Sequence, residues 1–337
     1  MSHFFINYFN KNYKFINLSI LSILSLFSVT TLFKYYCNYI TFNRLDRLFP
    51  KKIKWEKDLH IYSVAMPIFH IKTSKKQKCI LFISGYRDIP FIWNEILDYF
   101  KNDNQFDFFA PRTFGNGRSF FQDHDPNDWT ITYLESIYIL QELYEEIDII
   151  SYSTGCVIAL YLSQFNYKCK INNIILCAPF LLKNENMLDY LLFNSIFSKI
   201  LNPLLNFIMP YRLKFPENGY KYIRDTHYEI LGENDYYELA GFFKLDTKLL
   251  KFKNTRPENI NANNVTILYP KNDAVIGNIQ TQKDIIEDIF KKSIDIINIP
   301  SNEYNPELIN FCGHSMFKEN PYIVYDIYKI IKNIISK

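Results

Sequence analysis

Three side chains far apart in the 337-residue sequence could together activate a nucleophile: Ser153, Asp273 and His314. A serine hydroxyl is a weak nucleophile until a base takes its proton, and an imidazole serves as that base when an acid fixes its tautomer. Ser153 lies in EIDIISYSTGCVIA, Glu146–Ala159, where a strand-like apolar run (Ile147, Ile149, Ile150) meets Ser151-Tyr152-Ser153-Thr154-Gly155 and continues into helix-like Cys156–Leu162. A strand, a sharp turn bearing serine among small residues, and a helix make a nucleophile elbow. In such a turn the hydroxyl projects from the sheet and the next backbone N–H points at a developing oxyanion. The pattern departs from G-x-S-x-G at its first position, where Ser151 stands in place of glycine.

Asp273 falls in PKNDAVIG, just after the strand-like VTILY, and His314 in FCGHSMF, between the last strand-like run and the last helix-like one. Each has an ordinary alternative. Ser153 could be a helix N-cap, Asp273 a turn former and His314 a surface residue. In chain order Ser153, Asp273 and His314 each fall just past an expected strand, and in an open α/β sheet the groups that act on a ligand gather at the carboxyl ends of strands. The other histidines (His3, His60, His70, His124 and His227) lack that placement. An oxyanion needs two backbone donors. Thr154 follows the nucleophile and supplies one; Tyr86, in the turn Ser84-Gly85-Tyr86-Arg87 after CILFIS, is the candidate for the other, with Gly85 letting the chain turn tightly.

The elements that must position these groups alternate in type. Strands are expected at Leu59–Ala65, Ile68–Lys72, Cys79–Ser84, Phe106–Ala110, Ile171–Ala178, Val265–Tyr269 and Ile294–Ile299, beside the elbow strand. Helices are expected at Trp93–Phe100, Trp129–Tyr144, Ile279–Phe290 and Tyr322–Ile335. Runs that are apolar throughout, separated by amphipathic helices, predict a doubly wound, mostly parallel sheet covered on both faces. The rhythm pauses at about residues 180–260. There the helix-like Met187–Ile208 and Tyr236–Phe252 predict a helical cap inserted over the site.

Composition sets the outer bounds. An apolar share of 48% against 22% charged residues supplies a sizeable core. A net charge of only +3 argues against a dedicated nucleic-acid binder. The six cysteines form no CxxC pair and have no histidine at metal spacing, so no structural zinc site is visible; several sit in apolar strand-like runs as buried free thiols would, which favours a reducing compartment. Phe15 to Phe33, FINLSILSILSLFSVTTLF, carries no charge, and at about 1.5 Å per residue its helix would cross a hydrocarbon core of roughly 30 Å. A retained membrane anchor is the expectation. A cleaved signal peptide after Lys11 and Lys14 and a buried helix are its rivals. Lys34, Arg44, Arg47, Lys51 and Lys52 on its C-terminal side predict a cytosolic main domain, and Tyr35, Tyr36, Tyr39 and Phe42 suit an interfacial belt. The expected organisation is therefore 1–45 as anchor and juxtamembrane segment and 46–337 as the α/β domain with its cap.

From about Leu59 to Lys337 the chain resembles the α/β-hydrolase superfamily, particularly its capped branch of monoacylglycerol lipases and serine aminopeptidases. ISGYRD stands at the oxyanion turn, APRTFGNGRS at the usual Asp-x-x-Gly-x-Gly-x-Ser loop, SYSTG at the elbow, YPKNDAVI at the acid and CGHSMF at the base. Ser84 replaces the usual histidine, Ser151 the usual glycine, and Pro111-Arg112 stand where an aspartate is common. The resemblance implies hydrolysis of an ester, thioester or amide through an acyl-enzyme. Ser153 attacks, His314 moves protons, Asp273 orients His314, and Gly85–Tyr86 with Thr154 hold the oxyanion; no cofactor or metal is required. The apolar cap sequence, with Leu188, Leu191, Leu192, Phe193, Ile196 and Phe197, points to a lipid-like acyl ester beyond its ordinary helix packing. Two other classes remain open: an acyltransferase on the same scaffold, and a catalytically silent binding protein suggested by Ser84 and Ser151. Oligomeric state is not legible.

Overall fold

A computed structural model describes residues 52–55, 59–62, 66–71, 78–85, 88–103, 105–113, 126–181, 261–271, 273, 276, 278–300, 313–314, 316–317 and 321–337. The segments expected as membrane anchor (15–33) and helical cap (about 180–260) lie outside these residues, except for the cap's first positions to Leu181. Among the described residues no helix is long and apolar enough to cross a membrane.

Seven strands form one sheet: β3 (Ile68–His70), β4 (Lys78–Ile83), β5 (Asp107–Ala110), β6 (Glu146–Tyr152), β7 (Lys170–Cys177), β8 (Asn264–Pro270) and β9 (Asp295–Ile299). Their spatial order is β3-β5-β4-β6-β7-β8-β9, with β3 antiparallel to β5 and every other neighbouring pair parallel. The hydrophobic pattern explains the parallel core. β4 and β6 are buried along nearly their whole length, which suits strands covered on both faces. Two further strands, β1 (Lys52–Trp55) and β2 (Leu59–Tyr62), make a separate antiparallel pair. The sequence pattern marks β2 but not β1.

Helices cover the two faces separately. On one face Cys79, Leu81 and Ile83 of β4 share a cluster with α2 (Pro126–Leu140), α3 (Gly155–Leu162) and α4 (Ile279–Phe290). On the other, Ile80 and Phe82 pack with α1 (Asn94–Asp103) and α5 (Pro321–Ile335). Alternate residues of one strand thus feed opposite cores, as the two-residue period of a strand requires. The helical stretch expected at Trp93–Phe100 divides at its start. Pro90–Trp93 forms a 3-10 turn, with Pro90 fixing its first φ, and the α-helix proper begins at Asn94. Helix α2 begins at Pro126 and ends at Leu140, where Trp129–Tyr144 was expected; Gln141–Leu143 form a turn instead.

Near the amino-terminal ends of the central strands lies a buried charge. Asp148 of β6 is fully buried, its Oδ1 accepts both the backbone N–H (3.0 Å) and the side-chain amide (2.7 Å) of Asn173, and Lys78 Nζ stands 3.3 Å from its Oδ2. Burial pushes the Asp148 carboxyl above its ordinary pKa, opposed by Lys78 and the Asn173 bonds. The polar groups joining β4, β6 and β7 there are at the rim opposite the candidate site.

Candidate active site

The site is assembled at the carboxyl ends of β4, β6, β8 and β9. These ends lie nearly flush: Tyr152 pairs with Cys177 across β6 and β7, and Pro270 with Ile299 across β8 and β9. Ser153 follows β6 directly and Thr154 leads into α3. The chain reverses from strand to helix within these two residues, and Ser153 takes up that reversal with φ of 52°. A non-glycine residue in the left-handed region is strained and persists only where its surroundings over-determine it. Here they do. The Ser153 N–H donates to the Cys177 carbonyl (2.9 Å), and its carbonyl accepts from Cys156 N–H (3.0 Å) and Phe180 N–H (3.2 Å).

Close packing explains the small residues of the turn. A Cβ on Gly155 would stand 2.5 Å from the Ser84 carbonyl oxygen and 2.7 Å from that of Ile83, so the start of α3 rests directly on the end of β4. A Cβ on Gly85 would stand 3.1 Å from Ser153 Cβ and 2.8 Å from Asp88 Oδ2, so the turn after β4 passes beside the serine. Fixed backbone oxygens exclude any Cβ at Gly155, while at Gly85 a Cβ would crowd Ser153 and the Asp88 carboxylate.

The three polar side chains singled out in the sequence meet in a line. Ser153 Oγ lies 2.8 Å from His314 Nε2, and His314 Nδ1 lies 2.7 Å from Asp273 Oδ2. The His314 and Asp273 side chains are 5% and 0% exposed, so the pair works in a medium where charge interactions are little screened. The other carboxylate oxygen of Asp273, Oδ1, accepts the Ile276 N–H at 3.1 Å, and the Asp273 N–H donates to Pro270 at 3.1 Å. These bonds fix the carboxylate in its turn after β8. With an ionised carboxylate against Nδ1, the imidazole proton sits on Nδ1 and the Nε2 lone pair faces the serine hydroxyl.

Thr154 is buried at the N-cap of α3, among the N-terminal N–H groups that a helix leaves without carbonyl partners. Gly85 is buried beside Ser153, and Tyr86 lies outside the described residues. The two serines that depart from the common pattern have defined partners. Ser84 Oγ accepts the Trp93 indole N–H at 2.9 Å, while the Ser84 N–H donates to the Tyr133 hydroxyl at 3.1 Å. That hydroxyl is 2.7 Å from Thr113 Oγ1, and burial raises the pKa of its phenol. Ser151 Oγ donates to the Ile175 carbonyl of β7 at 3.2 Å. Neither departure displaces Ser153, His314 or Asp273.

Sequence reasoning passed over Trp93, Tyr133 and the side chain of Tyr152. Trp93 and Tyr133 carry no local signal, because their partners come from other elements. Tyr152 sits within the elbow motif itself, and only its tertiary contacts distinguish it. Among the described residues no group of three or more His, Cys, Asp or Glu side chains is placed to hold a metal ion.

This arrangement, a doubly wound sheet with an elbow serine after a central strand, is the α/β-hydrolase fold, and solved structures of that fold align with the chain. A metagenome-derived lipolytic enzyme superposes with a TM-score of 0.59 at 13% identity, over 82% of this chain and 99% of that one. A soluble variant of monoglyceride lipase from Saccharomyces cerevisiae, in complex with a substrate analogue, gives a TM-score of 0.58 at 15% identity, over 85% and 93%. A lipase-esterase related protein from Clostridium acetobutylicum gives 0.51 at 15% identity, over 80% and 99%. No protein-family model and no curated protein sequence matches the chain.

Proposed function

We propose that this protein is a serine hydrolase that cleaves acyl esters through an acyl-enzyme. One observation carries the reading: a serine held at φ 52° between strand and helix, its Oγ 2.8 Å from an imidazole whose other nitrogen is 2.7 Å from a buried carboxylate. A helix-capping serine needs no imidazole, and a turn-forming aspartate needs no histidine.

In the proposed reaction Ser153 Oγ adds to the acyl carbon as its proton passes to His314 Nε2. Asp273, beside Nδ1, stabilises the imidazolium that results. The carbonyl electrons move onto oxygen, and the Thr154 N–H with the turn at Gly85–Tyr86 is the assigned donor pair. The imidazolium then protonates the departing alcohol, leaving Ser153 acylated. Water, deprotonated by the same nitrogen, releases the acid and restores the serine. The three groups so used require no metal or cofactor.

An acyl ester with a lipid-like chain is the proposed substrate class, supported by the apolar sequence at 180–260 and by the likeness to a monoglyceride lipase and a lipolytic enzyme. In the same reading residues 15–33 tether the enzyme to a membrane, with the hydrolase domain on the cytosolic side. The test is labelling by a fluorophosphonate, followed by turnover of p-nitrophenyl esters of increasing chain length. Wild type labels, and Ser153→Ala and His314→Ala do not. Labelling that persists in Ser153→Ala moves the nucleophile to another serine and overturns the assignment. Adding an acceptor alcohol measures how the acyl group divides between water and alcohol.

A further inference from the structure

We infer that Tyr152, the residue before the elbow serine, is a positioning residue that holds the imidazole of His314 in register with Ser153. This deepens the serine-hydrolase reading and rests on it. The side chain is buried, and its hydroxyl donates to the backbone carbonyl of His314 at 2.9 Å. Its ring faces the imidazole at 5.5 Å between centroids, tilted by 36°, and meets Phe317 edge-on at 5.5 Å. Phe317 packs in turn on Trp93 at 4.7 Å, the same indole that donates to Ser84. Two sides of the histidine turn therefore rest on Tyr152: the carbonyl of residue 314 and the aromatic ring three residues on.

The geometry has a physical reason. His314 stands in a turn between β9 and α5 and belongs to no strand or helix. Ser153, by contrast, is fixed to the end of a central strand. Proton transfer needs the two within hydrogen-bond reach, and a displacement near 1 Å can cost about a hundredfold in rate. Tyr152 is the covalent neighbour of Ser153 and the hydrogen-bond partner of His314, so any shift of the strand end carries serine and histidine together. A phenylalanine would fill the same aromatic core. The hydroxyl adds a buried bond whose acceptor belongs to the base.

The experiment compares wild type with Tyr152→Phe in the full chain, by ester turnover and by the low-field proton resonance of the His314 Nδ1–H. The expected result is a kcat lower by about 10- to 100-fold with KM little changed, since the buried phenol is committed to the His314 carbonyl. The imidazole resonance is expected to shift or broaden by exchange. A merely structural role would lower the folded fraction and leave that resonance in place at reduced intensity. Unchanged kcat, or lost kcat that matches the folded fraction with an unmoved resonance, overturns the inference. If wild type itself fails to label at Ser153, the hydrolase reading fails; the resonance still decides whether the phenol sets the imidazole's position, because it needs no turnover.

Discussion

Replacing Asp273 by asparagine should disable the base while leaving the fold intact, because an amide cannot serve both partners of this carboxylate. Oδ1 accepts the Ile276 N–H at 3.1 Å and Oδ2 accepts the His314 Nδ1–H at 2.7 Å. An amide has one oxygen to offer. Turned toward Ile276, it presents its NH2 to Nδ1, which must then be bare. The imidazole proton moves to Nε2, where it points at Ser153 Oγ across 2.8 Å and no lone pair remains to take the hydroxyl proton. Turned the other way, the productive tautomer returns but the Ile276 N–H faces an NH2, and a buried donor so stranded costs about 1–3 kcal/mol. The anion that stabilises the imidazolium is lost in either case, worth about 1.5–3 kcal/mol for a charge-assisted bond. Together these give about 2.5–6 kcal/mol, or roughly two to four orders of magnitude in acylation rate. The assay is the rate of fluorophosphonate labelling in Asp273→Asn against wild type, with melting temperature recorded on the same samples. Labelling within about threefold of wild type at equal folded fraction would mean that Asp273 does not orient the base, and the tautomer argument would be wrong.

Two further expectations follow from packing and burial. Gly155→Ala places a Cβ 2.5 and 2.7 Å from backbone oxygens of β4, which cannot swing aside, so α3 must retreat. A stability loss of about 1–3 kcal/mol is expected, with slower labelling as the Thr154 N–H moves, read by chemical denaturation and probe kinetics. The second concerns the buried thiols. Burial pushes Cys156 up to about 12 from an ordinary value of 9.0, and Cys177 well above it, so in the unfolded chain both ionise at a pH where the folded protein still holds their protons. The folded state then binds more protons than the unfolded one, so this contribution is complete below about pH 9 and is lost as pH rises toward 12, at most about 1.4 kcal/mol per pH unit per thiol. Denaturation between pH 8 and 10 should show the decline, and Cys156→Ala should flatten it; an unchanged slope in the variant refutes the assignment.

What the sequence disclosed divides by the range of the interactions involved. Unbroken apolar runs such as CILFIS and INNIILCA announce covered strands, and α4 occupies the expected Ile279–Phe290 because Asn278 caps it where the apolar period begins. The end of α2 was overrun because Leu143 and Tyr144 continue the apolar spacing into the turn that follows. β1 escaped notice because KIKW alternates charge with bulk and, among the described residues, pairs with β2 alone. The elbow turn was legible because strand, small residues and helix are contiguous. Its supports were not: Ser84 finds Trp93 nine residues away, Ser151 finds Ile175 at a separation of 24, and Tyr152 finds His314 at 162. Such pairings belong to the fold rather than to any local stretch.

The Lys78–Asp148–Asn173 cluster lies toward one margin of the sheet and the Ser153–His314–Asp273 line at the other, with β6 holding Asp148 of the first and leading directly into Ser153 of the second. The first margin fastens neighbouring strands together; the second presents reactive groups. Under the proposed function, substitutions that alter what binds at the second border leave the polar seam at the first untouched, because the two share no side chain.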